Sequence, residues 1–438
     1  MKRKNLNCKK RMLVISLDAV GGADYDYLKT LPNFSKFLEG ACLCTDVQSV
    51  YPSITYPAHT TIITGRMPKN HGIINNTLVM PGALSPDWYW QRKYIRGTTL
   101  YDEAVKKGMK VAALLWPVTA KAKIQYNMPE IFANRPWSNQ ILTSMSNGSI
   151  LYQAKMNSMF GHLRNGKSQP ALDNFVHQAL LYTLSHYKPD LTLVHWTDVD
   201  STRHLYGVHG PEVTEALNRH DKRLGEMMAL LKKMGIDEET NIVLLGDHYQ
   251  KDVRRIIYLN HVLKEKGYLK TDGQKVRDWK AICKNCDGSA YIYLKKGFAH
   301  LEKEIYQLFN DMKDDENSGI KAVYTRQEAA DKGADPRCAV MLEAAEGCYF
   351  LDEWRCFSEN VMVDEGQSKT GHMMAVHGYD PTDKGYGTIF MAKGPDFNKN
   401  VRIPTMHLAD EGVTMAKILG LDLGKTDGHA IDAFICKQ

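Results

Sequence analysis

The chain has 438 residues, of which 43% are hydrophobic and 24% are charged, as in an ordinary soluble globular protein. This length predicts one large domain with insertions, or two domains. The net charge of +6 comes from six basic residues within the first eleven, so no interior basic stripe indicates a nucleic-acid groove. The apolar run after that basic start is too short for a signal peptide, and no stretch has the length of a membrane span. We therefore predict a cytoplasmic protein.

The cysteines agree with that location. Nine cysteines without regular spacing fit reduced thiols in a large intracellular protein. Cys283 and Cys286 have the spacing of half a zinc knuckle, but no second pair of that kind follows them. We interpret both as thiols without a metal.

Strands and helices alternate along the first 250 residues. In chain order we predict a buried strand over 11–18, a helix over 98–107, a strand over 109–115, a polar, irregular insertion over 118–170, a helix over 174–187, a strand over 191–196, a helix over 211–234 and a strand over 241–245. His220 falls on the apolar face of the longest helix, which predicts a packing or capping role and not a catalytic one. Alternating strands and helices predict an α/β fold, with a largely parallel sheet and helices on both faces.

The alternation loosens after residue 250. We predict helices near 259–267 and 298–313, a strand over 290–294, a solvated acidic turn at 311–319, a strand over 387–392 and a last helix around 409–419. The sequence therefore predicts a catalytic core formed by residues 1–250 and 366–438. Residues 251–365 are predicted to form an inserted cap subdomain.

The stretch from Tyr51 to Gly65 has two prolines around a short polar turn, followed by an apolar run. Pro57 suits the first position of a helix, which would place Thr55 or Tyr56 beside unpaired backbone N–H groups. Such a helix start can bind an anion, phosphate above all. A hydroxyl group there is either a helix cap or a nucleophile, and a cap is the commoner role for an isolated residue.

Acidic and histidine side chains follow the carboxyl ends of the predicted strands. They are Asp18 after the first strand, Asp198 and Asp200 with His204 after the third, Asp247 and His248 after the fourth, and His377 and Asp380 in a later turn. Ligands bind at this edge of a parallel sheet. A mixture of carboxylates and imidazoles suits zinc or a similar divalent ion, and this number of groups suits two ions. Because two ions can clamp both oxygens of a phosphoryl transfer, the pattern favours Thr55 as a nucleophile.

Six motifs occur in a characteristic order. They are Ser16-Leu-Asp18, Pro52-Ser-Ile-Thr55-Tyr-Pro, His71-Gly-Ile-Ile-Asn-Asn76, Asp200-Ser-Thr-Arg-His204, Gly246-Asp247-His248 and His377-Gly-Tyr. The set resembles the nucleotide pyrophosphatase/phosphodiesterase (type I phosphodiesterase) family of the alkaline phosphatase superfamily, over nearly the whole chain. The resemblance implies an alkaline-phosphatase-like fold. It also implies cleavage of phosphodiester or pyrophosphate bonds in nucleotide-type small molecules, through a phosphothreonine intermediate.

The resemblance also implies a set of site residues. One divalent ion would be held by Asp18, Thr55, Asp247 and His248, and the other by Asp200, His204 and His377, with zinc as the expected metal. Asn76 would contact a phosphate oxygen, and Tyr56 would line the pocket of the leaving group. The chain departs from the family where Ala58-His59 replaces the usual Asn-His and Tyr249 replaces the usual Gly.

Other activities of related enzymes stay open at this point. Phosphonoacetate hydrolase, which cleaves a C–P bond, shares the threonine and the metal set, and phosphomonoesterases belong to the same superfamily. A binding protein that keeps the metals only for structure is a further alternative. A sulfatase is excluded because the C/S-x-P-x-R motif is missing. The neutral Asn76, and a helix whose only basic residue is His59, favour a diester over a monoester substrate.

Overall fold

The computed structural model describes residues 10–83, 85–364, 367–368 and 372–436. Most of the basic cluster at the start of the chain, and the predicted boundary between cap and core at 365/366, lie outside these residues. Within the described part of the chain, no helix combines the length and the apolar character needed to cross a membrane.

The secondary structure has the following bounds. The strands are β1 (Arg11–Leu17), β2 (Cys42–Gln48), β3 (Val111–Leu114), β4 (Tyr126–Met128), β5 (Leu191–Trp196), β6 (Thr240–Leu245), β7 (Lys251–Asp252), β8 (Arg255–Ile257), β9 (Leu269–Asp272), β10 (Lys275–Trp279), β11 (Ala281–Cys286), β12 (Ser289–Leu294), β13 (Ile320–Thr325), β14 (Val340–Ala344), β15 (Cys348–Phe350), β16 (Ser358–Asn360), β17 (Met362–Asp364), β18 (Gln367–Ser368), β19 (Ala375–Val376), β20 (Thr388–Lys393) and β21 (Met406–His407). The α-helices are α1 (Tyr25–Leu28), α2 (Pro32–Leu38), α3 (Thr55–Thr64), α4 (Pro68–His71), α5 (Leu100–Lys106), α6 (Gln140–Asn147), α7 (Ile150–Phe160), α8 (Ala171–His186), α9 (Asp198–Tyr206), α10 (Pro211–Lys233), α11 (Leu259–Glu265), α12 (Glu302–Lys313), α13 (Arg326–Asp331) and α14 (Leu408–Leu419).

The core is built on a central sheet with the strand order β21-β2-β20-β6-β1-β5-β3-β4. Its middle strands β6, β1, β5 and β3 run parallel, whereas β20 is antiparallel to both of its neighbours. Successive residues of β1 point to opposite faces, so Val14 packs in the same cluster as Ile62 of α3, and Ile15 in the same cluster as Leu224 of α10. A mostly parallel sheet with helices on both faces is the predicted α/β fold, which is confirmed.

Residues 118–170 differ from the prediction of an irregular insertion. They contain β4, which extends the edge of the central sheet by parallel pairing with β3, and the two helices α6 and α7. The prediction was wrong because β4 has only three residues, too few to show a period. Helix α7 also exposes the apolar residues Ile150 and Leu151, which hides its amphipathic pattern.

The region predicted as a cap contains its own antiparallel sheet, in the order β11-β12-β14-β13. The predicted helices near 259–267 and 298–313 correspond to α11 and α12, and the predicted strand at 290–294 to β12. A separate apolar cluster fills this region and includes Ile292, Phe309 and Leu342. The exact division of the chain into core and cap stays a prediction.

A buried glutamate connects the four-stranded sheet β11-β12-β14-β13 to the segment that precedes α3. Glu343 of β14 accepts hydrogen bonds from the Tyr51 hydroxyl group and, at 2.9 Å, from the Asp380 backbone N–H. Burial raises the pKa of Glu343 to about 7. Because the folded-state pKa lies above the ordinary value, the stability that the neutral carboxyl contributes is complete at acidic pH and is lost as the pH rises through about 7.

Glu343→Gln should therefore make the stability less dependent on pH. The unmodified protein loses stability as Glu343 ionises, whereas glutamine cannot ionise. The unfolding free energy of the variant minus that of the unmodified protein should therefore rise by on the order of 1–3 kcal/mol from about pH 5 to pH 8. Denaturant unfolding at the two pH values measures the effect. The exposed Glu346→Gln is the control and should keep the original pH dependence. If the unfolding free energy of Glu343→Gln changed with pH in parallel with that of the unmodified protein, the raised pKa of Glu343 would be contradicted.

Candidate active site

Helix α3 begins at Thr55, and its N-cap residue is Ile54, whose side chain has no capping group. Pro57 is therefore the third residue of the helix and not the first, as the sequence suggested. Among the described residues, the Thr55 hydroxyl group makes no hydrogen bond to a backbone N–H group. It lies 3.1 Å from Nε2 of His248. The helix-cap interpretation of Thr55 is wrong, and its hydroxyl group faces a histidine of the site.

The first cluster of possible metal ligands consists of Asp18, Asp247 and His248, whose ligand atoms lie within 4.8 Å of one another. Asp18 follows β1, and the other two follow the neighbouring parallel strand β6. His248 Nε2 is 3.4 Å from Asp18 Oδ1 and 3.3 Å from Asp247 Oδ2. Both carboxylate oxygens are buried and have no hydrogen bond within the described residues. A buried carboxylate oxygen without a hydrogen bond is costly, and a cation bound between these two oxygens would offset that cost.

The charges of this cluster lead to the same conclusion. Burial, and then the neighbouring Asp200, raise the pKa of Asp18 to about 7. Burial, and then the neighbouring Asp18, raise the pKa of Asp247 well above its ordinary value. The pKa of His248 is held well below its ordinary value by burial and by His377. Neutral imidazole and carboxylate are the forms that bind a metal, so this donor set fits a divalent ion.

The second cluster consists of Asp200, His248 and His377, again with ligand atoms within 4.8 Å of one another. His204 lies one helical turn after Asp200 on α9, and its Nε2 is 3.3 Å from Asp200 Oδ1. The other nitrogen of His204 lies 2.8 Å from the carbonyl oxygen of Ala375. The structure therefore brings all the predicted ligands together. It also places His248 beside both clusters, whereas the resemblance implied a role at the first ion alone.

Three other side chains from the sequence analysis lie in structural contacts. Asp198 accepts hydrogen bonds from Arg219 and Arg223, the shortest of them 2.7 Å long. Asp380 accepts a 2.7 Å hydrogen bond from Lys332. His220 is buried and stacks on Trp196 at a ring-centroid distance of 5.4 Å, which confirms its predicted packing role.

Asn76 lies at the start of α3, and its Oδ1 accepts a 2.9 Å hydrogen bond from the Tyr56 backbone N–H. This bond leaves the Asn76 NH₂ group available to a ligand in the cavity that Asn76 lines. The Tyr56 ring is fully buried, with its hydroxyl group 3.3 Å from Glu130, and it does not line the cavity. This placement contradicts the predicted leaving-group contact of Tyr56. Trp88, whose ring packs on the edge of Tyr56, is the aromatic residue of the cavity wall.

His195 and Glu130 were missing from the predicted site. His195 Nε2 is 2.9 Å from Asp18 Oδ2, and its Nδ1 is 3.2 Å from Glu130 Oε2. Burial lowers the pKa of His195, but the carboxylates of Asp18 and Glu130 outweigh burial and raise it well above its ordinary value. The sequence did contain a signal for His195. Its neighbours in β5 are apolar, and a histidine within a buried strand needs a polar partner.

A cavity of about 1150 Å³ opens above the two clusters. Its polar end includes Thr55 and Asn76. Much of the remaining wall is apolar, with Trp88 and Phe132 among its residues. Four of the other metal-ligand candidates also line it, namely Asp18, Asp200, His204 and His377. Arg164 and Lys167, from the 118–170 segment, also line it. The cavity can therefore hold a phosphoryl group at Thr55 together with a larger organic group.

The model of the family described as type I phosphodiesterase / nucleotide pyrophosphatase matches residues 12–380. Venom phosphodiesterase 2 of Crotalus adamanteus is 23% identical over 91% of this chain and 44% of its own length. The bis(5'-adenosyl)-triphosphatase ENPP4 of Homo sapiens is 24% identical over 94% of this chain and 78% of its own length. The chain thus spans less than half of the venom enzyme.

A solved structure of murine ectonucleotide pyrophosphatase/phosphodiesterase 5, an inactive variant in complex with AMP, has a TM-score of 0.67 to this chain. The two are 20% identical, and the match covers 96% of this chain and 97% of the other. This likeness confirms the alkaline-phosphatase-like fold. The family model matches most of the sequence, and the fold agrees with that match. The chain therefore belongs to the type I phosphodiesterase/nucleotide pyrophosphatase family.

Proposed function

We propose that this chain is a metal-dependent hydrolase that cleaves phosphodiester or pyrophosphate bonds through a phosphothreonine intermediate at Thr55. The observation that carries the proposal is the position of the Thr55 hydroxyl group. It is free of any capping bond and lies 3.1 Å from His248, the residue that belongs to both ligand clusters.

In the proposed mechanism, Thr55 is the nucleophile, and Asn76 and the start of α3 bind the phosphoryl group. The Thr55 oxygen forms a bond to phosphorus while the ester or anhydride oxygen of the substrate leaves, and water later cleaves the phosphothreonine. The Asn76 NH₂ group and the N–H groups at the start of α3 would donate hydrogen bonds to the remaining phosphate oxygens. Two bound divalent ions, with zinc as the proposed metal, would lower the pKa of the Thr55 hydroxyl group and offset charge on the leaving oxygen.

Nucleotide-type small molecules are the proposed substrates. Relatives are named as phosphodiesterases and as a bis(5'-adenosyl)-triphosphatase, and the similar solved structure contains AMP. The aromatic side chains of Trp88 and Phe132 in the cavity wall suit a flat base. A cytoplasmic location stays a prediction.

A phosphomonoesterase is the second candidate, because Arg164 and Lys167 line the cavity. A monoester dianion carries one more charged oxygen than a diester and needs another cation nearby. Both side chains are exposed, and each lies over an aromatic ring, Arg164 over Phe175 at 4.6 Å and Lys167 over Phe132 at 4.1 Å. The group beside Thr55 is instead the neutral Asn76, which suits a diester monoanion.

We therefore expect bis-p-nitrophenyl phosphate to be hydrolysed with a higher kcat/KM than p-nitrophenyl phosphate. Both reactions release the same chromophore, so one absorbance assay under identical conditions compares them directly. A higher kcat/KM for the monoester would contradict the proposed diesterase activity. Hydrolysis of phosphonoacetate in preference to both would support the C–P alternative.

Asn76→Ala should impair the diester reaction by about 2–4 kcal/mol in kcat/KM, because it removes a donor to a phosphate oxygen in the transition state. The measurement is the kcat/KM ratio of the two proteins with bis-p-nitrophenyl phosphate. The control is Asn70→Ala, because Asn70 is exposed and, among the described residues, its side chain bonds only Asp427. An Asn76→Ala variant within about twofold of the unmodified enzyme would exclude the donor role.

A further inference from the structure

A hairpin turn of the cap lies directly against His377. The two-residue turn Asp287–Gly288 joins β11 to β12. Asp287 Oδ2 is 3.2 Å from His377 Nδ1. Both side chains belong to an ion-pair contact, and His377 Nδ1 is buried and makes no hydrogen bond to any other described residue. The Gly288 backbone N–H donates a 2.9 Å hydrogen bond to the carbonyl oxygen of His377. The turn therefore contacts this ligand candidate through both side chain and backbone.

The backbone leaves little freedom at this contact. A Cβ atom on Gly378, which has a φ of +89°, would lie 1.8 Å from the carbonyl oxygen of Cys286, and one on Gly288 would lie 2.5 Å from the Tyr379 ring. Asp287 itself has a φ of +59°, a conformation that aspartate tolerates better than most residues. Close backbone packing therefore restricts the position of the Asp287–Gly288 turn relative to the segment that contains His377.

His204 shows what this contact does for a histidine ligand. One of its nitrogens lies 2.8 Å from the carbonyl oxygen of Ala375, and the other lies 3.3 Å from Asp200. An acceptor on one nitrogen fixes the tautomer and the orientation of the ring, and so presents the other nitrogen to a metal. For His377, the Asp287 carboxylate occupies the corresponding position, with Oδ2 3.2 Å from Nδ1.

We propose that Asp287 is a positioning residue of the second metal site, whose carboxylate holds the His377 ring so that Nε2 faces an ion shared with Asp200 and His204. This inference rests on the proposed two-metal function. Because Asp287 comes from the β11–β12 hairpin, it follows that the cap supplies part of the metal site, and that packing of the cap and affinity for the second ion are coupled.

The test is titration of Zn²⁺ into chelator-stripped protein by calorimetry with a competing chelator. Asp287→Gly removes the carboxylate without backbone strain, because glycine adopts a positive φ freely. We expect one of the two Zn²⁺ affinities, that of the second site, to fall by about 10–100-fold, while the other is unchanged. Asp287→Asn keeps an oxygen acceptor and should lose less. The control is Asp272→Asn, an exposed aspartate that pairs with Arg277 in another hairpin of the cap; both affinities should stay unchanged.

Two results would overturn the inference. If Asp287→Gly binds two Zn²⁺ ions with unchanged affinities, the positioning role is wrong, whereas the proposed function stands. The positioning role is also wrong if the only effect of Asp287→Gly is a lower melting temperature of the metal-stripped protein. That result would show that Asp287 has a structural role. If the unmodified protein binds fewer than two Zn²⁺ ions, the two-metal function fails and the inference fails with it.

Discussion

Thr55→Ala should lower the turnover of a diester substrate by at least about 10³-fold, because it removes the proposed nucleophile, which is also a proposed metal ligand. The folded state should hardly change. The Thr55 hydroxyl group makes no capping bond, so we expect the unfolding free energy to stay within about 1 kcal/mol of that of the unmodified protein. Steady-state kinetics with bis-p-nitrophenyl phosphate and denaturant unfolding measure the two effects separately.

Thr55→Ser is the matched control for this experiment. Serine keeps a hydroxyl group at the first position of α3 and should retain far more activity than alanine, whereas simple damage to the helix start would affect both variants alike. A Thr55→Ala enzyme with a tenth of the original activity would contradict the covalent mechanism.

Asp247→Asn should abolish activity and yet stabilise the metal-stripped protein. The Asp247 carboxyl is fully buried, and burial together with Asp18 holds its pKa well above the ordinary value. The stability contributed by the neutral carboxyl is present at acidic pH and is lost as the pH rises through the raised pKa. Asparagine cannot ionise, and its Oδ1 can still accept the 3.2 Å hydrogen bond from the Ala19 N–H. We expect a gain on the order of 1–3 kcal/mol near pH 8.

Denaturant unfolding of chelator-stripped proteins near pH 5 and pH 8 measures this effect. Asp221→Asn is the control, because Asp221 is buried as well but both of its oxygens accept hydrogen bonds. Oδ1 accepts from the backbone N–H groups of Asn33 and Phe34, and Oδ2 accepts from Asn33 Nδ2 at 2.8 Å, a bond that an asparagine NH₂ group could not replace. That variant should lose stability. A stripped Asp247→Asn protein that is less stable than the original at pH 8 would show that the carboxylate already has a partner without metal.

Much of the site could be predicted because its ligands follow strands that are buried and continuous. Asp18 follows β1, Asp247 follows β6, and Asp200 lies near the end of β5; the carboxyl ends of neighbouring parallel strands lie at one edge of the sheet. The long helix α10 could also be predicted, because its apolar residues repeat with the helical period.

Contacts between distant segments could not be predicted in this way. Glu130 lies in a segment without a period, and its approach to His195 depends on how 118–170 folds along the sheet edge. Asp287 reaches His377 only because the hairpin of β11 and β12 packs against the His377 segment. The Tyr56 ring turns inward toward Glu130, although its position in the chain, next to Thr55, favoured the cavity. Each of these depends on tertiary packing, which local patterns do not encode.

The stereochemical course at phosphorus tests the phosphothreonine mechanism most directly. A phosphorothioate diester that is chiral at phosphorus is hydrolysed in ¹⁸O-labelled water, and the configuration of the product is determined. A Thr55 nucleophile requires two successive in-line displacements, each with inversion, so we expect net retention of configuration. Net inversion would mean that water attacks phosphorus directly, and it would contradict a covalent intermediate on Thr55.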